Sequence, residues 1–291
     1  MLWAVLAALS GIFFGVLGVI GKELMQETSS LAYTTVYTAV ATTLYLPFFL
    51  YFISSGRASF NTTVIAAFAV SGAANIAGFL SYNQSISMGD LSEEVPLAKL
   101  NPLFTAMIAV PLLGENLSLL NVSGILLVIA GTFTVLVNPL RLVSSLKQQE
   151  SLKPALIAIF SAVIFSVAAV ADRFATQIVD PKTYTMMIYS FMFAGYLPLL
   201  DKQESKSYET IKNQLLKHPK LYLVSGMMAV AASLMIFTSF SMAPASKVIP
   251  LLQLQVLVSI IAGGKLFKEQ KIMRKTLGST IMITGILFVM L

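Results

Sequence analysis

Residues 90–115 read DLSEEVPLAKLNPLFTAMIAVPLLGE, and this stretch decides the class of protein. Its apolar run is about as long as the roughly 20 residues that a helix needs to cross a bilayer. It also carries Glu93, Glu94 and Lys99, and a charge inside a membrane span costs on the order of 3 kcal/mol on insertion scales. A span keeps such groups where they have a partner or face water. We therefore predict a membrane helix with functional residues, bent at Pro96.

The same pattern returns 154 residues later, where Pro96 falls on Pro250 and Glu115 on Glu269 without a gap. An offset of 151 residues pairs the earlier segments, as in Ser10/Ser161, Phe14/Phe165, Lys22/Arg173, Tyr33/Tyr184, Tyr45/Tyr196 and Pro47/Pro198. Paired Pro, Gly and Glu residues at a constant offset are hard to obtain by chance. The sequence is therefore interpreted as a duplication, with repeats at 1–140 and 154–291 and a connecting loop at 141–153.

The composition excludes most soluble classes. Hydrophobic residues make up 57% of the chain and charged residues 11%, with a mean hydropathy of +0.83, whereas a soluble domain is about 25% charged. There is no Cys, and the single His218 lies in a Lys-rich segment, where we expect it to be solvated. We therefore expect no metal, no cofactor and no enzymatic activity. The net charge of +6 is expected to meet lipid headgroups, with no nucleic-acid partner.

Hydropathy predicts ten apolar segments. They lie at about 3–24, 31–53, 63–85, 91–113 and 119–137, and at 154–176, 183–200, 221–242, 245–267 and 276–291. Because five helices is an odd number, the second half must be inverted relative to the first. The predicted fold is an all-α polytopic membrane protein of the cell membrane, with ten transmembrane helices in two inverted five-helix repeats. A surface helix is expected within residues 201–220.

Each half closes with a Pro-containing helix, a short loop with Glu, and a helix with glycines seven residues apart. The two versions begin VPLAKLNPLFTAMIAVPLLGENL at Val95 and IPLLQLQVLVSIIAGGKLFKEQK at Ile249. This pattern resembles the EamA-type ten-helix permeases of the drug/metabolite transporter superfamily. The resemblance covers the full chain and implies transport of small metabolites along a pathway lined by the third, fourth, eighth and ninth helices, with the first and sixth. The second half departs from it at GGKLFKE, residues 263–269.

Polar side chains are dense in the third, fourth, eighth and ninth segments, which predicts a cavity between them. Lys99 lies about 12 Å along its helix, at 1.5 Å per residue. There it could anchor a carboxylate or phosphate, or instead reach the interface or form a structural ion pair. The predicted substrate-binding residues are Lys99, Asn101, Gln253, Gln255, Asn75, Tyr82, Asn83, Gln84 and Thr238.

Charged residues near helix ends are candidates for coupling or gating. They are Glu93, Glu94, Lys247, Lys22 and Arg173. For the two acids the alternative is a solvated first turn that favours the helix dipole. For Lys22 and Arg173 the alternative is anchoring of a helix end at the membrane interface.

Prolines and glycines give the mechanical features. Pro96 and Pro250 each free a backbone carbonyl and bend a helix, so both are predicted hinges. Gly124 and Gly131 match Gly278 and Gly285, each pair on one helix face. Such faces indicate helix packing or contact within a homodimer.

The predicted function is secondary transport of small polar metabolites such as amino acids, as an exporter or exchanger, by alternating access between inverted repeats. One alternative is uptake or exchange of phosphorylated or nucleoside-type metabolites. Another, from a different class, is a non-transporting membrane scaffold or sensor. No P-loop is present to suggest that ATP drives the process.

The orientation in the membrane has two conflicting indications. Of the 19 Lys and Arg residues, fourteen fall in the predicted loops of one side and four in those of the other. The positive-inside rule places the richer side in the cytoplasm and both termini outside. The family resemblance implies the opposite orientation.

Overall fold

The structure is a computed structural model, and it describes residues 1–54, 62–88, 96–136, 152–203, 207–258, 261 and 272–291. Eleven helices form within these ranges. They are α1 (Leu2–Leu24), α2 (Ser30–Ser54), α3 (Thr62–Met88), α4 (Asn101–Leu113), α5 (Leu119–Leu136), α6 (Lys153–Thr176), α7 (Pro181–Gln203), α8 (Ser207–Lys217), α9 (Pro219–Met242), α10 (Ala245–Leu252) and α11 (Ile272–Met290).

Within the part of the chain that the structure describes, six helical segments are long and apolar enough to cross a membrane. They are Leu2–Leu24, Thr62–Ser85, Pro96–Leu113, Leu119–Leu136, Lys153–Thr176 and Pro219–Met242. Large apolar side chains on them remain outward-facing, such as Met107 and Leu126, which are 61% and 53% exposed. Such a surface suits lipid. The all-α membrane class is thus confirmed, whereas the count of ten transmembrane helices is not.

The remaining helices show why the count differs. Helix α7 begins at Pro181-Lys182 and ends in Asp201-Lys202-Gln203, which shortens its apolar part. Ala245–Val258 and Thr276–Met290 are apolar but shorter than a span. Helix α8 lies within the stretch for which a surface helix was predicted, and Tyr208 and Leu216 on it are 74% and 71% exposed.

The chain forms two compact units, and each takes residues from both sequence repeats. The first contains Met1–Ile76 and Ala171–Ala243, and the second contains Ala77–Val170 and Pro244–Leu291. Each compact unit therefore combines a segment of the first sequence repeat with a segment of the second.

In the first unit, α1 packs on α9, and α2 packs on α7 and α9. The face of α1 toward α9 is built from small residues, among them Ala4, Ala7 and Gly11, which allow the two backbones to approach closely. The Ser10 hydroxyl donates to the carbonyl of Ala232 at 2.8 Å and fixes this contact. Aromatic rings fill the core beside it, with Tyr33 and Tyr222 centred 6.1 Å apart.

His218 has a partner that the sequence did not reveal. Its Nε2 lies 2.7 Å from a carboxylate oxygen of Glu27, and the Lys217 ammonium lies 2.7 Å from the same oxygen. Hydrogen bonds from Lys217 and His218 hold the pKa of Glu27 below its usual value. His218 stays partly exposed to solvent, as expected, and this surface contact also ties the start of α9 to the turn after α1.

In the second unit, α5 and α11 pack against each other through their glycines. A Cβ added to Gly124 would lie 2.7 Å from the carbonyl oxygen of Gly285. A Cβ added to Gly131 would lie 2.5 Å from the backbone nitrogen of Met282. Both glycine faces are thus used within one chain, so a homodimer through these glycines would lack the surface it needs. Dimerisation itself stays a prediction.

Replacing Gly131 with Ala should destabilise the protein by about 1–3 kcal/mol, because the new methyl group meets backbone atoms that cannot move aside. Gly18→Ala is the matched control, since no atom of the described residues lies within 4 Å of a Cβ there. Helix propensity favours Ala over Gly by about 1 kcal/mol at both sites. Recovery of the monodisperse peak after heating in detergent measures the difference. Equal stability of the two variants would contradict this packing.

Candidate functional site

Two helical segments are broken at the same position of the repeat. They are Pro96–Leu113, which contains α4, and Ala245–Val258, which contains α10. The first break is at Lys99–Leu100 and the second at Gln253, and Lys99 and Gln253 are 154 residues apart. At each break the backbone bonds tighten, with the amide of Lys99 donating to Pro96 at 3.1 Å and that of Gln253 to Pro250 at 3.2 Å. Tightened turns within a helix often mark hinges, and here each follows a predicted hinge proline.

A side-chain hydrogen bond joins the two broken helices. The amide nitrogen Nε2 of Gln253 donates to Oδ1 of Asn101 at 2.8 Å. Gln253 is only 1% exposed, and its own amide oxygen Oε1 has no hydrogen-bond partner among the residues that the structure describes. Leaving such a buried acceptor unpaired costs about 1–3 kcal/mol. Oε1 is therefore a buried acceptor that no described donor satisfies.

Lys99 lies two residues from Asn101, at the same break. Its side chain is partly buried, and no hydrogen bond or ion pair joins its ammonium to any residue in the described ranges. The predicted neighbours Glu93 and Glu94 lie outside those ranges. Lys99 thus brings a positive charge into a helix that offers it no described counter-ion.

In the first unit, polar side chains collect around a buried carboxyl group. Asp172 is 7% exposed, and its Oδ1 accepts hydrogen bonds from the Ser71 hydroxyl and from the Tyr184 hydroxyl, the latter at 2.7 Å. The predicted residue Asn75 donates from Nδ2 to the Ser71 hydroxyl at 3.2 Å. The cluster therefore draws on α3, α6 and α7.

Sequence reasoning missed Asp172 and Tyr184 as site residues. The available signal is an acid inside the predicted span 154–176, directly before the gating candidate Arg173. Arg173 itself points elsewhere, because its Nη1 donates to the carbonyl of Phe240 on α9.

The other predicted residues occupy less specific surroundings. The Thr238 hydroxyl donates to Leu234 in its own helix at 2.6 Å. The partly buried residues are Tyr82, Asn83, Gln255 and Lys247, while Gln84 and Lys22 are exposed. The single cavity between the third, fourth, eighth and ninth helices stays a prediction.

Comparison with known proteins identifies this arrangement. An all-helical, duplicated chain with apolar spans and paired helix breaks is the architecture of a membrane transporter. The model of the EamA-like transporter family matches residues 1–137 and again 152–291. The chain therefore belongs to the EamA-like transporter family, and the resemblance to the drug/metabolite transporter superfamily is confirmed. The two matches fit the inverted repeat.

Structural comparison agrees on the fold. The crystal structure of another protein superposes with a TM-score of 0.74 at 15% sequence identity, covering 99% of this chain and 98% of that chain. At this identity the likeness concerns the fold alone. No match was found among the curated proteins.

Proposed function

We propose that the protein is a secondary transporter of small polar metabolites that carry a carboxylate, with amino acids as the first substrate class. It works in the cell membrane by alternating access between two inverted five-helix repeats, as an exporter or exchanger. Membership of the family supports transport. The choice of amino acids as the substrate class and of export as the direction is part of this proposal.

The paired helix breaks carry the proposal. The ammonium of Lys99 has no described counter-ion, and the buried Oε1 of Gln253 has no donor within the described ranges. A free amino acid supplies the two complementary groups, a carboxylate for Lys99 and an ammonium for Gln253. Charge-assisted hydrogen bonds of this kind are about twice as strong as neutral ones.

The hinges support a moving site. Tightened turns after Pro96 and Pro250 weaken both helices where substrate would bind, so that binding and bending are coupled. We keep Lys22, Arg173 and Lys247 as proposed gating residues, together with Glu93 and Glu94 outside the described ranges.

Lys99→Ala should raise the KM for substrate at least about tenfold, because a hydrogen bond to a charged group contributes about 1.5–3 kcal/mol. The measurement is uptake and counterflow in proteoliposomes with labelled amino acids, nucleosides and sugar phosphates. Lys212→Ala, on the exposed face of α8, is the matched control and should transport like the wild type.

Each outcome selects one interpretation. If amino acids move and Lys99→Ala impairs their transport, the proposal holds. If only phosphorylated compounds move and the variant impairs their transport, Lys99 binds phosphate and the substrate class is wrong. If Lys99→Ala transports normally, Lys99 is structural. If nothing moves under any ion gradient, a scaffold or sensor replaces the transporter proposal.

A further inference from the structure

One buried acid has no part in the proposed substrate site. Asp172 lies in the candidate span Lys153–Thr176 and is 7% exposed. Both of its side-chain donors, Ser71 and Tyr184, bond to the same oxygen, Oδ1. No described residue bonds to Oδ2. The carboxyl group is thus held in place on one side and left available on the other.

The adjacent Arg173 forms no described bond with the carboxyl group of Asp172, because its Nη1 donates to the carbonyl of Phe240. Helix α3 contributes Ser71 and Asn75, and α7 contributes Tyr184, all neutral hydrogen-bonding groups. The ring of Phe237 from α9 packs edge-to-face against the ring of Tyr184, with the two ring centroids 5.0 Å apart. No Lys, Arg or His of the described ranges forms an ion pair with this carboxyl group. An isolated charge is costly in a membrane, and a bound proton removes it.

The repeat shows that this carboxyl group is not needed for the packing of the tyrosine. At the offset of 151 residues, Tyr184 corresponds to Tyr33 and Asp172 to Gly21. The ring of Tyr33 covers Gly21 so closely that a Cβ there would lie 2.8 Å from it. The Tyr33 hydroxyl donates to the carbonyl of Leu17 at 3.2 Å. The same tyrosine position therefore packs without an acid in one repeat, and the other repeat adds one.

We infer that Asp172 is the residue that carries a coupling proton through the transport cycle, an inference that rests on the transport function proposed above. While the site is closed to water, the proton stays on Oδ2 and Oδ1 keeps its two donors. When the site opens, Oδ2 releases the proton to water on one side and takes one from the other side in the next half-cycle. Because a single carboxyl group carries one proton, the inference assigns one proton to each cycle.

Asp172→Asn tests the inference, because the amide keeps an oxygen for Ser71 and Tyr184 but cannot exchange a proton at neutral pH. In proteoliposomes, a gradient of one pH unit should change wild-type substrate accumulation about tenfold, since one unit is worth 1.36 kcal/mol per proton. The variant should keep substrate counterflow and lose this response. Asp180→Asn, at an exposed aspartate, is the matched control and should respond like the wild type.

A second measurement does not need a substrate. Infrared difference spectroscopy of the purified protein should show a protonated carboxyl band at neutral pH that disappears in Asp172→Asn. If no band is lost, or if the variant accumulates substrate in response to pH like the wild type, Asp172 is not the coupling group. Wild-type transport without a pH response, or with a sodium response instead, overturns the inference as well. If nothing is transported, the transporter proposal fails separately, and the infrared band alone decides whether Asp172 holds a proton.

Discussion

Replacing Gln253 with Leu should reduce transport efficiency, kcat/KM, at least about thirtyfold. The substitution keeps the approximate volume but removes the donor to Asn101 and the acceptor Oε1, two interactions worth about 1–3 kcal/mol each when buried. Each 1.4 kcal/mol corresponds to a factor of ten. Transport is measured in proteoliposomes, and folding separately by heating in detergent.

A double-mutant cycle gives this prediction its control. Asn101→Ala leaves Nε2 of Gln253 without its acceptor, so it should destabilise the protein by about 1–3 kcal/mol. Because the two side chains share one bond, the double variant with Gln253→Leu should be little worse than the more damaging single variant. Additive losses of stability would show that the two residues act independently and that the breaks are not linked through them.

The positions of the breaks could be predicted from the sequence, whereas their connection could not. Proline acts locally, since it lacks a backbone N–H, so Pro96 and Pro250 mark where each helix weakens. The repeat pairs Lys99 with Gln253 and Asn101 with Gln255. The hydrogen bond instead joins Gln253 to Asn101, which are not equivalent in the repeat. A periodic pattern identifies equivalent residues, but contacts between them depend on how the helices pack.

Asp172 shows the same difficulty more sharply. Its partners are Ser71 on α3 and Tyr184 on α7, and the first is 101 residues away along the chain. Nothing in the local sequence around residue 172 indicates that two hydroxyl groups meet there. The close packing of α5 and α11 was easier to predict, because small residues on one helix face favour close approach to any partner helix. Only the structure shows that the partner is the other glycine helix.

Glu115→Ala should destabilise the protein by about 3 kcal/mol, the largest loss expected from a single side chain. Gly114, at φ 65°, ends α4 in the left-handed conformation that glycine adopts freely, and Glu115 follows it directly. The carboxylate then accepts from the backbone amides of Ala245 at 2.6 Å and Ser246 at 3.0 Å, and also from the Ser246 hydroxyl. It thereby caps the N-terminus of α10 with a negative charge, where the helix dipole favours it.

Without Glu115, buried N–H groups would lose their acceptor, and each unpaired group costs about 1–3 kcal/mol. Glu115→Gln should lose about half as much, because one oxygen remains but the charge does not. Glu23→Ala, at an exposed glutamate, should change stability by no more than about 0.5 kcal/mol. Because the chain has no Cys, thiol-reactive dyes are unsuitable and chromatography after heating is the measurement. If Glu115→Ala is as stable as Glu23→Ala, the start of α10 does not depend on this cap, and the position of the Gln253 break must be fixed by Pro250 and its packing instead.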